Sequence, residues 1–322
     1  MLEWEHWEDW SSSIATLFPC LRQLTIQNCR NLIRKLPTYL PSLTKLSVHR
    51  CPKLEPPLLR LPLLKEFQVG ECNEAVLRSG IGLTSLTELR ISGVLGLIKL
   101  QQRFMQLLRG LQALKIWKCE ELTCLWEDGF ESENLHRHQL VSLGCNLQFL
   151  EIINCDKLER LPNGWQSLTC LEKLKIQDCP KLVSFPEIGF PPKLKHLTLE
   201  KCEGLKRLPD GMMLKMRNNS SNDSNNLCLL QHLSISQCPS LICFPKGQLP
   251  TTLKLLNISS CENLKSLPEG MMHCNSITTN DTTDMCALEY LFIWAYTSLI
   301  GFPKGGLPTT LKELRIWNCE RL

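Results

Sequence analysis

Apolar residues recur along this chain in a fixed order. From Leu21 the sequence reads LRQLTIQNCRNL, with apolar side chains at the first, fourth, sixth, ninth and twelfth places. The same spacing restarts at Leu43, Leu64, Leu86, Leu111, Leu147, Leu171, Leu194, Leu230, Leu253, Leu288 and Leu311, which makes twelve copies. Successive starts lie 21 to 25 residues apart, except for three intervals of 35 or 36. Positions four and six are two residues apart, so they share one face of a short strand, and positions three, five and seven take the other. The pattern predicts one strand per copy. Stacked in parallel at about 4.8 Å, twelve such strands would make a concave sheet roughly 55–60 Å long.

Ten copies place cysteine ninth: Cys29, Cys51, Cys72, Cys119, Cys155, Cys179, Cys202, Cys238, Cys261 and Cys319, with Val94 and Tyr296 in the other two. This is the leucine-rich-repeat signature, whose ninth position is Asn or Cys. A single copy cannot bury its apolar face alone, so stability must come from neighbours along a solenoid. Seven residues after the ninth position a Leu-Pro or Phe-Pro step recurs, as at Leu161-Pro162, Phe185-Pro186 and Leu208-Pro209. Proline donates no hydrogen bond and is out of place in a central strand, so these steps belong to an outer side of 3₁₀ and extended pieces. The expected fold class is therefore α/β: a horseshoe-shaped repeat solenoid with a parallel concave sheet and a mostly irregular convex side.

The phrases CEGLKRLPDGMM (202–213) and CENLKSLPEGMM (261–272) are nearly identical. Each follows a related repeat, so the duplicated unit is a pair of repeats. Three inserts account for the long intervals, at 128–145, 211–229 and 270–287, and the last two are polar and low in complexity. Solvated loops tolerate that length at little entropic cost. Residues 1–20 read as the tail of a preceding repeat, with Trp4, Trp7 and Trp10 packing across the solenoid end. The final motif stops mid-repeat at Leu322, so the chain reads as a fragment.

Net charge is only +4 in 322 residues, which gives no reason to expect a nucleic-acid partner. No apolar run reaches the roughly 18 residues of a membrane span. The opening MLEWEHWEDW lacks the basic and then apolar order of a secretory signal, so a cytoplasmic location is expected. Eighteen cysteines could mean disulfides or metal, but their spacing follows the repeat and no C-x-x-C occurs. They are expected to point inward as small apolar groups. The nearest metal-like cluster is Cys119, Cys124, His136, His138 and Cys145. Sequons begin at Asn218, Asn219, Asn222, Asn257 and Asn280 and read as polar filler. No phosphate loop, G-x-G-x-x-G, H-E-x-x-H or G-x-S-x-G is present, so neither enzyme nor cofactor is expected. His49, His196 and His232 fall on exposed strand positions.

What remains is the open strand face, at positions three, five, seven and eight. Copy five offers Lys115, Trp117 and Lys118, and copy six Phe149, Glu151 and Ile153. Copy eleven offers Tyr290, Phe292 and Trp294, and copy twelve Glu313, Arg315 and Trp317. Large apolar groups at water-facing positions are informative, and aromatics with arginine are common interface anchors. The competing reading is that they touch flanking repeats or a neighbouring domain.

The phrases FPCLRQLTIQNCRNL, LTKLSVHRCPKLE, LEKLKIQDCPKLVSFP and FPKGGLPTTLKELRIWNCERL resemble the leucine-rich region of plant nucleotide-binding leucine-rich-repeat disease-resistance proteins of the coiled-coil class. The opening EWEHWEDWSSS is similar to a stretch that family places between repeats. The resemblance implies an intracellular immune receptor whose repeats hold a nucleotide-binding domain inactive and sense a pathogen effector or a guarded host protein. That nucleotide-binding domain, an intramolecular partner, is absent from this chain. Two other classes compete: a leucine-rich-repeat substrate adaptor for ubiquitin ligation, and an extracellular leucine-rich-repeat receptor or inhibitor. The motifs of either are missing.

Overall fold

The structure is a computed structural model and describes residues 18–33, 39–55, 61–78, 83–101, 108–126, 146–187, 189–209, 228–245, 249–268, 287–299, 301–302 and 307–321. The chain divides into two compact units, Met1–Asp156 and Lys157–Leu322. In the first unit the strands are β1 (Gln23–Gln27), β2 (Lys45–His49), β3 (Glu66–Gly70), β4 (Glu88–Ser92), β5 (Ala113–Trp117) and β6 (Phe149–Ile153). In the second they are β7 (Lys173–Gln177), β8 (His196–Glu200), β9 (His232–Ser236), β10 (Leu255–Ser259), β11 (Tyr290–Trp294) and β12 (Glu313–Trp317). Each motif thus supplies one strand covering its positions three to seven. Within each unit every strand pairs in parallel with the next in sequence, and like positions meet: Leu114 faces Leu150, Leu197 faces Leu233.

Positions four and six form the floor of the core. Leu114, Ile116, Ile152, Leu233 and Ile258 have no accessible surface, and neighbouring strands repeat this with Leu, Ile, Val or Phe67. The exceptions are the outer strands. Leu24 in β1 is half-buried, and Leu314 and Ile316 in β12 are 38% and 39% exposed. Among the described residues each of these strands has a partner on one side only.

Simple alternation would turn position eight inward and position nine outward. The observed order is the reverse, because the eighth residue is left-handed in all twelve copies. Its φ is between 48° and 59° at Asn28, Arg50, Glu71, Gly93, Lys118, Asn154, Asp178, Lys201, Gln237, Ser260, Ala295 and Asn318. One such residue resets the phase of the side chains and swings the ninth inward. For a residue with a Cβ that conformation is costly. In ten copies it is held by the ladder: the eighth amide donates to the seventh carbonyl of the next strand, as from Lys118 to Ile153 at 2.9 Å and from Ala295 to Trp317 at 2.8 Å.

The inward cysteines follow. Cys51, Cys72, Cys119, Cys155, Cys179, Cys202, Cys238 and Cys261 are fully buried. Their sulfurs lie near the carbonyl two residues back, at 3.1 Å for Cys72 and Gly70 and 3.5 Å for Cys119 and Trp117. Burial pushes the Cys51 thiol up to about 11 and those of Cys119 and Cys261 up to about 12. The two outermost sulfurs take the same inward contact, Cys29 with the Gln27 carbonyl and Cys319 with that of Trp317, both at 3.5 Å, but they are less covered. Cys29 is exposed and Cys319 only half-buried, since both belong to the singly flanked outer strands.

The outer side carries short pieces. There is one 3₁₀ turn, Asn163–Ser167, and one five-residue helix, α1 (Glu74–Arg78), and no longer helix among the described residues. Isolated parallel bridges join Arg160 to Ser184 and Ser184 to Arg207. The proline steps are buried at Leu161-Pro162, Phe185-Pro186, Leu208-Pro209 and Leu267-Pro268. Trp165 of the 3₁₀ turn packs against Phe185 and Phe190, and its indole N–H donates to the Gly189 carbonyl at 2.8 Å. The 128–145 insert and Trp4, Trp7 and Trp10 lie outside the described residues, as do the other two inserts apart from 228–229 and 287.

Candidate functional site

Each unit carries a patch on its strand face, opposite the leucine floor. In the first unit the expected residues Lys115, Trp117, Lys118, Phe149, Glu151 and Ile153 come together on β5, β6 and the turn after β5. Lys115 lies 5.7 Å above the Phe149 ring and pairs with Glu88 at 2.8 Å. Arg90 reaches the same carboxylate at 2.7 Å. The Arg90 hydrogen bond, supported by Lys115, holds the Glu88 carboxyl below its ordinary range. The Trp117 indole N–H donates to Glu151 at 3.2 Å.

Beside Trp117 the face sinks into a groove of about 450 Å³ lined by His49, Arg50, Glu71, Ser92, Trp117, Lys118, Ile153 and Asn154. It forms because position seven turns small between two large walls: Gly70 and Ser92, with Gly93 at position eight, separate His49 and Arg50 from Trp117 and Lys118. The His49 ring leans over Gly70, where a Cβ would sit 2.4 Å from its Cδ2. Glu71 is ion-paired with Arg50 at 2.9 Å and faces His49 at 3.6 Å. The Arg50 contact keeps its carboxyl low. Sequence reasoning missed His49, Arg50, Glu71 and Ser92 as neighbours of Trp117. The signal available was the drop in side-chain size at position seven of copies three and four and at position eight of copy four.

In the second unit Tyr290, Phe292, Trp294, Glu313, Arg315 and Trp317 occupy β11 and β12, in register as Tyr290 with Glu313, Phe292 with Arg315 and Trp294 with Trp317. The two indoles stack, with centroids 5.4 Å apart and planes 13° from parallel. They remain 53% and 61% exposed. The Arg315 guanidinium stands 5.3 Å over Phe292 and donates to Glu313 at 2.6 Å. They touch flanking repeats, and they still present a broad apolar area to water. Next to them the face is small and polar, with Ser234, Ser236, Asn257 and Ser259 on β9 and β10.

Among the described residues no group of three or more His, Cys, Asp or Glu side chains could hold a metal ion. His136, His138 and Cys145 of the cluster named above lie outside them. No described helix is long and apolar enough to cross a membrane. The sequon residue Asn257 lies mid-strand in β10, and its amide donates to the Ser234 hydroxyl at 3.0 Å. The other sequons fall outside the described residues.

One strand per motif, parallel order, left-handed eighth residues and a buried ninth residue define a leucine-rich-repeat array. The chain is homologous to plant disease resistance proteins. A putative disease resistance protein of Arabidopsis thaliana is 34% identical over 186 residues, covering 57% of this chain and 12% of that protein. Disease resistance protein RPP4 of the same plant is 29% identical over 56% of this chain and 16% of that protein. RPS4B, also from A. thaliana, is 27% identical over 69% of this chain and 20% of that protein. The chain therefore spans less than a quarter of the length of these relatives. No family model matches it. Among solved structures, the leucine-rich repeat domain of the type III effector XopL aligns over 81% of this chain and 75% of that one, at 20% identity and a TM-score of 0.48.

Proposed function

We propose that this array is the protein-recognition and autoregulatory module of an intracellular plant immune receptor, sensing a pathogen effector or a guarded host protein. The observation that carries the reading is the exposed aromatic patch of β11 and β12. Two stacked indoles more than half exposed, with Phe292, Tyr290 and Arg315 beside them, are the side-chain types that anchor protein interfaces. Water-facing aromatics on a rigid strand lose little entropy on binding, since the ladder already fixes their backbones. The homology to plant disease resistance proteins supplies the biological setting. The array's role is binding, with chemistry left to other parts of the receptor.

The test uses the full gene product in plant cells challenged with the matching pathogen. Trp294→Ala and Trp317→Ala together should abolish effector-dependent signalling while the circular-dichroism spectrum stays unchanged. Loss of autoregulation would instead appear as signalling without challenge. A double variant that responds like the parent sinks the assignment of this face. The substrate-adaptor alternative would show ubiquitin-ligase subunits bound to the chain. The extracellular alternative would show a glycan at Asn257, which its hydrogen bond to Ser234 disfavours.

A further inference from the structure

The third position of the strand face is histidine in two consecutive strands of the second unit. His196 and His232 are direct partners across the β8–β9 ladder. Their ring centroids are 4.4 Å apart and their planes 72° from parallel. Both residues are half-buried. A shared metal ion bound at 2.0–2.1 Å sets two ligand nitrogens roughly 3–3.4 Å apart. Side-chain rotation alone reaches that spacing, because the backbones are already held at the distance of adjacent strands. We propose that His196 and His232 form a two-imidazole site for a late first-row divalent cation, Cu²⁺ most strongly and Ni²⁺ or Zn²⁺ more weakly, with water filling the remaining positions.

The chemistry agrees with the placement. Neutral imidazole is the ligand form and suits Cu, Ni and Zn. Burial, and then the neighbouring His232, lower the His196 pKa. The other charged groups that face it are Lys173, Lys195 and Glu172. The Glu172 carboxylate is engaged by Lys195 at 2.9 Å. The two ammonium groups weaken cation binding. The site is bidentate across a ladder, so the second imidazole binds intramolecularly and raises affinity on the order of 10²-fold over one imidazole. It also ties β8 to β9, whose motifs start 36 residues apart in sequence. Metal loading should therefore raise the unfolding temperature of the second unit. The proposal does not depend on the partner assigned to the aromatic patch.

Calorimetric titration of the chain with NiCl₂ at neutral pH, beside His196→Ala and His232→Ala, tests it. Either variant is expected to weaken the tightest Ni²⁺ site about 100-fold. Parent-like affinity in either variant overturns the proposal, and so does an absence of Ni²⁺ binding at millimolar metal. Should a variant misfold, Cu²⁺ broadening of histidine ring signals in the unaltered chain reads the site directly. His196 and His232 must broaden together at the lowest Cu²⁺ concentrations. Broadening of one alone, or of neither, refutes the pair.

Discussion

Tyr296 stands at the ninth position of copy eleven, where ten other copies have cysteine, and it has no accessible surface. Its hydroxyl meets no hydrogen-bond partner among the described residues. A buried hydroxyl left unpaired costs about 1–3 kcal/mol relative to water. Tyr296→Phe keeps the ring and removes that group. The void left is a single oxygen, so only a few tenths of a kcal/mol of contact are lost by the roughly 0.1–0.2 kcal/mol per atom pair of dispersion. The variant should therefore be more stable by about 1 kcal/mol. In a unit of this size that is a rise of roughly 2–4 °C in unfolding temperature. Burial, aided by Cys261 and Cys319, also raises the Tyr296 pKa. The folded state therefore resists ionisation while the unfolded chain ionises near pH 10, and parent stability falls as pH rises above about 10. The phenylalanine variant lacks this loss, so its advantage should widen in alkali. Urea unfolding at pH 7 and pH 10.5, with amide exchange in β11 as a local probe, measures both effects. Equal or lower stability of the variant at pH 7, at unchanged denaturant slope, would show that the hydroxyl is satisfied and the reasoning wrong.

Further outcomes follow from the same geometry. Gly204→Ala places a Cβ 2.4 Å from the Pro180 carbonyl oxygen, a backbone atom that cannot step aside, so thermal unfolding should register a loss of about 1–3 kcal/mol. Trp165→Phe keeps the aromatic packing but orphans the Gly189 carbonyl, which should cost about 1–3 kcal/mol by urea titration. The buried thiols of Cys51, Cys119 and Cys261 have raised pKa values, while unfolded thiols ionise near pH 8.5. Their contribution is intact below that pH and shrinks as pH climbs toward 11–12, so the melting temperature should decline from about pH 9 upward. Of the described cysteines, Cys20, Cys29 and Cys243 should react first with a thiol reagent under native conditions, and labelling followed by mass mapping reads the order.

The repeat made the fold legible. Leucines at positions one, four and twelve, with Ile, Val or Leu at six, set both the strand and its inward face, because a two-residue period in a short apolar run has one structural reading once it recurs twelve times. The face residues were legible for the same reason: position five must oppose positions four and six. Inward cysteines were foreseen, but the device that turns them inward was not. Left-handed backbone at position eight carries no residue signature here, since Asn, Arg, Glu, Gly, Lys, Asp, Gln, Ser and Ala all occupy it. In ten copies the ladder holds that conformation, Asn318 adopts it with no further strand to bond among the described residues, and only the assembled strands show it.

Which surface residues become neighbours was likewise a tertiary outcome. His49 and Trp117 are 68 positions apart, and the groove between them exists because the intervening strands end in Gly70 and Ser92. His196 and His232 are separated by an insert-bearing interval, yet parallel register puts their rings in contact. The exposure of Cys29, Leu314 and Ile316 depends on how many strands flank them, a property no motif encodes. By itself the sequence determined the periodic order of apolar side chains, and hence the solenoid, its floor and its open face. The tertiary structure alone decided the left-handed turns, the groove and the side-chain pairs, because register between strands fixes distances that spacing along the chain does not.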